Sequence, residues 1–307
     1  MALTPAQRLD PRLLPTFLAV LEHGRVSAAA KALHLSQPAV TAQIRKLEDE
    51  LGAPLFLRSA AGVSPTAAGT TLAGYARTMQ RLLGEAALAV AGAEEPAGEL
   101  ALAASTTIAA YVLPSVLARF RISHPAIGLR VVVGNTEEVI GDVKRGGVAV
   151  GLVEGHARAS GIHLEPYVDD EIVAVSGLSA GGATFRVRRP GDLARVPILW
   201  REPGSGTRAV VERALRRAGI RRGPLPIDLE IGGTAAILGG ASAGLGVAFA
   251  SRWAIQAHLA AGKLTLIPGL DLVIRRTFRW ATATGALTGA ARAFHDFAQR
   301  NPPVIAG

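Results

Sequence analysis

Two hydrophobic rhythms divide the chain. Up to about residue 92 apolar residues recur at spacings of three and four; beyond residue 99 short apolar runs alternate with helical spacing. The first rhythm belongs to amphipathic helices, the second to strands and helices taken in turn. Leu13 to Glu22 predicts a helix with Leu14, Phe17, Leu18 and Leu21 inward. Ser27 to about His34 predicts a second, capped by Ser27, in which Ala28, Ala29, Ala30 and Ala32 let another helix approach closely. His34-Leu35-Ser36 makes a corner. Ser36 suits the N-cap of a third helix, and Pro38 falls in its first turn, where an amide proton has no intrahelical partner. Val40, Ile44, Leu47 and Leu51 form that helix's apolar stripe, and Gly52 stops it.

A wing follows. Pro54 to Arg58 predicts its first strand, Ser59-Ala60-Ala61-Gly62 its turn and Val63 its return. Ser64-Pro65-Thr66 then opens a long helix to about Gly92, on which Leu72, Tyr75, Met79, Leu82, Ala86 and Ala89 keep the spacing of a coiled-coil seam. Such a helix packs on its own domain or on a second copy; its length and the linker GAEEPAG after it favour the second copy. The expected divisions are 1–65 for a helix-turn-helix head with a wing, 66–92 for the dimerisation helix, 93–98 for a hinge and 99–307 for an α/β body.

In the body, strands are expected at 100–104, 129–133, 148–153, 171–176, 197–200, 228–231, 246–250, 264–267 and 272–284. Helices are expected at 111–122, 137–145, 208–217, from Thr234, from Arg252 and at 288–300. This is parallel α/β wiring. The last strand returns to the first unit, giving lobe I at about 99–168 and 268–307 and lobe II at about 169–267, with a cleft between.

Composition narrows the class. A chain of 307 residues, 49% hydrophobic, suits two or three packed domains. A formal charge of +9 favours a polyanionic partner, although the arginines are spread along the whole chain. No cysteine is present, so disulfides, thiolate metal sites and a cysteine nucleophile are excluded. The first residues lack an export signal, and the uncharged run Ile231 to Ser251 is broken by glycines, so a soluble cytoplasmic protein without a membrane span is expected.

The head carries recognisable chemistry. Gln37, Thr41, Gln43 and Arg45 lie off the apolar stripe, and such side chains hydrogen-bond base edges and phosphates in a major groove. The order of small residues, corner, Ser-Gln-Pro and Arg-Lys-Leu-Glu, followed by Leu-Gly-x-x-Leu-Phe-x-Arg, resembles the LysR-type transcriptional regulators over the first quarter of the chain. Promoter DNA is the expected partner, contacted by Ser36, Gln37, Pro38, Thr41, Gln43, Arg45, Arg58 and Thr66, and the resemblance implies a homotetramer built as a dimer of dimers. It also implies a periplasmic-binding-protein-like effector region of two Rossmann-like lobes. Family members usually carry basic residues at the wing tip; here that tip is Ser59-Ala60-Ala61-Gly62, which leaves Arg58 as the wing's main candidate.

Ligands of open α/β sheets sit beyond the carboxyl ends of strands, against helix N-termini. Those positions hold Ser105, Thr106, Thr107, Asn135, Thr136 and Glu154 in the first lobe, and Arg201, Gly204, Ser205, Thr207 and Thr234 in the second. Arg-Glu-Pro-Gly-Ser-Gly-Thr before a helix favours an anion, although its Gly, Ser and Thr could equally be a turn plus an N-cap. Glu154 either orients Arg201, meets a cationic ligand group or faces solvent; Asn135 also suits a left-handed turn. Together with Gly-Leu-Val-Glu-Gly, these segments resemble the branch that controls sulfur assimilation and carbon fixation, whose members sense small anions, phosphorylated compounds or organic acids. No cofactor or metal is expected.

Other classes fit less. A phosphate-loop enzyme needs the Walker spacing and its lysine, whereas Arg208 follows Thr207. No Gly-x-Ser-x-Gly elbow is present, and His156 and His163 lack a metal-pair spacing. A solute-binding protein would explain the cleft but not the first 92 residues. A molybdate-type regulator would end in small β-barrels rather than α/β alternation.

Overall fold

The computed structural model describes residues 9–59, 62–90, 98–155, 159–178, 185, 187, 189–220, 228–267, 272–283 and 285–305. They form two compact units, one of residues 1–93 with 145–147 and one of residues 94–144 with 148–307.

In the head, a 3-10 turn at Pro11–Leu13 leads into α1 (Leu14–His23), followed by α2 (Val26–Ala32) and α3 (Gln37–Leu51). Phe17, Ala29, Val40 and Leu47 are fully buried in the core they share, and the small Ala29 and Ala30 allow the close approach expected of them. Leu51, the expected last member of the stripe, is instead exposed beyond the end of that core. Ser27 is not the cap expected. Gly24 turns the chain at φ 63° and Arg25 takes the extended cap position, so Ser27 already lies inside α2. His34 makes the corner at φ 54°, the one non-glycine residue with a left-handed backbone among those described. Ser36 caps α3 as expected, its hydroxyl accepting from the Ala39 amide at 3.3 Å, and Gly52 ends the helix at φ 66°.

The wing is the antiparallel pair β1 (Phe56–Ser59) and β2 (Gly62–Pro65), with Phe56 opposite Pro65. Its tip residues Ala60 and Ala61 lie outside the described residues. The Glu48 carboxylate on α3 accepts from the Leu55 amide at 2.7 Å, so the wing is tied to the third helix. The long helix α4 (Ala67–Val90) begins where Thr66 donates to the Pro54 carbonyl and accepts from the Gly69 amide. Its expected seam divides. Leu72, Ala73 and Ala76 are buried in the head's own core with Met79 against them, while Tyr75, Leu82, Leu83 and Val90 are exposed. Ala86 is exposed too, the Ala89 side chain lies outside the description, and so does the linker at 91–97.

The body alternates as expected: β3 (Gly98–Ser105), a π-helical turn (Ile108–Val112) running into α5 (Leu113–Ser123), β4 (Ile127–Gly134), α6 (Thr136–Lys144) and β5 (Val150–Glu154). After β6 (Ile162–Gly177) come β7 (Ile198–Trp200), α7 (Gly206–Arg217), β8 (Leu229–Glu230), α8 (Thr234–Ser242) and β9 (Val247–Ser251). The chain closes with α9 (Arg252–Ala260), β10 (Leu264–Leu266), β11 (Ile274–Ala283) and α10 (Gly289–Arg300). Nine strands make one sheet in the order β4-β3-β5-β11-β6-β9-β7-β8, with β10 beside β6. β3 runs parallel to β4 and β5, and β7 parallel to β8 and β9; the long strands β6 and β11 join the two groups antiparallel. β6 starts at Ile162, well before the expected Glu171, although His163, Glu165, Pro166 and Asp169 are poor strand formers. Its pairing with β11 overrides that local preference. Apolar cores lie around Leu102, Phe120, Trp280 and Phe294 on one side of these crossings and around Val211, Leu238, Val247 and Ile255 on the other. Among the described residues no helix is long and apolar enough to cross a membrane.

Candidate functional site

Two sets of polar residues stand out, and they are built in opposite ways. On α3, Gln37, Pro38 and Arg45 are exposed, as is Arg58 on β1, and Thr41 is half-buried. The side chains of Gln37, Arg45 and Arg58 make no hydrogen bond or ion pair among the described residues. Three other residues of the expected set have internal work. Gln43 turns inward, its side-chain oxygen accepting from Thr16 at 2.5 Å and tying α3 to α1. The Ser36 and Thr66 hydroxyls serve helix starts.

The strand-end residues of the body are mostly buried and mutually satisfied. Arg201, at the end of β7, forks onto the carboxylate of its neighbour Glu202, with Nε and Nη2 each 2.7 Å from an oxygen. The same guanidinium donates to Thr234 at 3.0 Å and to Thr106 at 3.1 Å, and the Gly233 amide donates to Glu202 at 3.2 Å. Burial raises the Glu202 carboxyl, but Arg201 outweighs it and holds the group below the usual range. Thr107 joins Thr234 at 3.0 Å through their hydroxyls.

A second centre surrounds Glu154, whose side chain is 2% exposed. Glu154 does not orient Arg201, as one expectation had it, nor face solvent. It pairs with Arg276 at 2.6 Å and also accepts from the Thr207 hydroxyl and the Thr107 amide. Arg276 continues to Asp170 at 2.7 Å, which the Ser251 hydroxyl also reaches at 2.7 Å. Burial pushes the Glu154 carboxyl up, but Arg276, Thr207, Arg201 and Thr107 together bring it down to about 2. Burial raises Asp170, and the nearby Glu154 charge adds to the effect despite Arg276. The Thr136 hydroxyl meets the Glu154 backbone, and a Cβ at Gly206 would collide with both, so glycine is needed for this approach.

Asn135 is not the left-handed turn residue that was an option. It caps α6 reciprocally with Glu138, each backbone amide donating to the other's side chain. Its side-chain nitrogen reaches the Pro203 carbonyl at 3.4 Å, and the Gly204 carbonyl accepts from the Glu137 amide. Ser205 caps α7, taking the structural option for that residue. The Ser105 hydroxyl is buried without a partner among the described residues. An open groove of about 640 Å³ borders this network, lined by Thr136, Glu137, Glu154, Ser205, Gly206 and Arg208 among others. Arg276 and Asp170 were not among the expected site residues. The period-two burial of β11, with Ile274, Arg276, Phe278 and Trp280 on one face, is the signal that would have found the first. No group of His, Cys, Asp or Glu among the described residues could hold a metal ion, and His156 lies outside them.

Residues 11–70 match the bacterial regulatory helix-turn-helix protein of the lysR family, and residues 93–302 match the LysR substrate binding domain. The chain is 35% identical to the transcriptional regulator CbbR of Xanthobacter flavus over 289 residues, 90% of this chain and 83% of that one. Among solved structures, ArgP from Mycobacterium tuberculosis superposes with a TM-score of 0.74 at 20% identity, over 95% of this chain and 97% of that one. Full-length CbnR complexed with its target DNA gives a TM-score of 0.64 at 24% identity, over 95% and 99%. These likenesses answer the enzyme and solute-binding alternatives: the chain belongs to the LysR family of transcriptional regulators, with a DNA-binding head and an effector-binding body.

Proposed function

We propose that α3 reads promoter DNA through Gln37, Pro38, Thr41 and Arg45, with Arg58 touching the adjacent backbone. The supporting observation is the exposure of the Gln37 and Arg45 side chains, without partners among the described residues, beside Gln43, whose side chain is committed to Thr16. Ser36 and Thr66 contribute chiefly by starting helices, and any phosphate contact from them shares a hydroxyl already bonded. Footprinting of a Gln37→Ala, Arg45→Ala double variant tests this; unchanged protection of the native promoter refutes it.

The helix at 66–92 pairs with a second copy through its exposed apolar residues Tyr75, Leu82, Leu83 and Val90. Replacing Leu82 and Leu83 with Asp puts charges into that contact, whereas Leu72 is a poor test site because it supports the head's own core. Sedimentation should show a smaller particle. The family resemblance extends the dimer to a tetramer. The protein works in the cytoplasm, alongside its DNA.

The body, 99–307, senses a small anionic metabolite where the strand ends of 99–168 and 268–307 face those of 169–267, and 93–98 passes the change to the helix. Supporting this are the glycine-lined helix start at Gly204 to Thr207 and the arginine beside it. Thermal-shift screening against sulfate, phosphate and sugar phosphates is the test; a ligand at a hundredfold its dissociation constant stabilises by about 2.7 kcal/mol.

A further inference from the structure

We infer that Arg201 is a carboxylate receptor kept occupied by the protein's own Glu202, and that the effector binds by putting its carboxylate in that place. This rests on the proposal that the effector is anionic, and it names the anionic group.

The guanidinium is fixed. Its side chain is 5% exposed, and hydroxyls of Thr234 and Thr106 hold its plane. Two of its N–H groups run parallel onto Glu202 at 2.7 Å each, the fork by which Arg recognises planar carboxylates. The Gly233 amide, directly before the nine-residue helix α8, completes the cradle from a third direction on one of the same oxygens. Nε, Nη2 and the Gly233 amide thus converge on one carboxylate, that of the partly exposed Glu202. Glu202 is 23% exposed, against 2% for Glu154, so it can leave for water at the cost of these three bonds alone. Gly204, at φ 83°, lies two residues on and gives the segment a turn that other residues rarely adopt.

The two carboxylates therefore do different work. Glu154, enclosed by Arg276, Thr207 and Thr107, stays in place. Glu202 competes with the ligand at a fixed, very high local concentration. A receptor occupied by its own side chain nine-tenths of the time binds an outside ligand about tenfold more weakly than the free receptor would. That cost makes the sensor ignore small carboxylates at low concentration.

The test uses full-length protein and titrates acetate, and separately sulfate, following the fluorescence of Trp200, which directly precedes Arg201. Glu202→Gln is compared with wild type and with Glu99→Gln, which removes the same charge from an exposed position at the start of β3, the end opposite the site. The expected result is acetate binding about tenfold tighter in Glu202→Gln, within twofold of wild type in Glu99→Gln, and no gain when Arg201→Ala is added. Glu202→Asp, whose carboxylate is one methylene too short for the fork, should show a smaller gain and covers any folding defect of the first variant. If Glu202→Gln gains no more than Glu99→Gln, or if sulfate gains as much as acetate, the inference is overturned. Should wild type still bind sulfate through Arg201 in that case, the anionic-effector proposal stands without it. If no variant binds either anion, both fall.

Discussion

The head and the body present their polar groups in opposite states. On α3, the Gln37 and Arg45 side chains are exposed and bond none of the described residues, whereas Arg201, Thr234, Glu154, Thr207 and Arg276 bond one another in near-complete burial. A surface of the first kind is ready to bind and needs no rearrangement. A network of the second kind must break bonds before it can make new ones, so its response depends on what the ligand offers in exchange. On the functions proposed here, DNA reading is a property of a rigid helix face, and sensing a property of an exchange reaction.

The sharpest way to break this contrast is at Arg276. Arg276→Met leaves Glu154 and Asp170 buried without their shared cation, and the loss should be about 3–5 kcal/mol. Urea unfolding measures it, and a loss under about 1 kcal/mol, the scale of a surface ion pair, would mean the cluster is not the structural centre of the sensor. On α3 the corresponding experiment should leave stability alone. The double variant Gln37→Ala, Arg45→Ala should lose about 1–3 kcal/mol of discrimination for each base contact removed, with an unchanged melting temperature.

Acid sharpens the same comparison. The folded Glu154 carboxyl sits at about 2, below its ordinary 4.5, so its contribution is present above pH 4.5 and is lost as pH falls through about 2. Asp170 is raised and works in the opposite sense, which makes the difference between wild type and Glu154→Gln the quantity to follow. The variant's stability should fall less steeply over that window in acid titrations of urea unfolding. An equally steep fall would assign the acid sensitivity elsewhere. The smallest expected effect is on the reading helix itself. Ser36→Ala removes the cap bond to Ala39 and should cost about 1 kcal/mol, seen as a modest fall in melting temperature of the whole chain.

Much of this was legible in the sequence, for stated reasons. Caps, stops and apolar spacing are local, so α3 could be placed from Ser36, Pro38 and Gly52, and the body's strand-helix order from its alternation. Long-range partners were not. Nothing in the sequence around Gln43 says that Thr16, on another helix, will take its oxygen. Leu72 and Leu82 share one periodicity, yet the first lies over the head and the second beyond it. Arg276 and Asp170 lie within or beside the expected strands 272–284 and 171–176, but charged residues there read as solvent-facing until the alternation is counted in phase with Ile274 and Ile172. The Arg201–Glu202 pair joins neighbours in sequence, but whether they fork together or point apart depends on the Gly233 amide and Thr234 arriving from α8.

β6 and β11 pair from Ile162 opposite Ala283 through to Ile172 opposite Ile274, and each also pairs with a strand belonging to only one group. The two groups are therefore not separable modules strung on a flexible tether. Tearing one away means unzipping the ladder that the other also relies on, so the body should melt in a single cooperative transition, with the amides of these two strands the last to exchange with deuterium. Any closing around the proposed ligand then has to pass through this shared spine, whose register shifts between Phe278 and Arg279, and so has few degrees of freedom. A sensor so constrained answers many different ligands with one gesture, and evolution can change what is sensed without redesigning how the message is delivered.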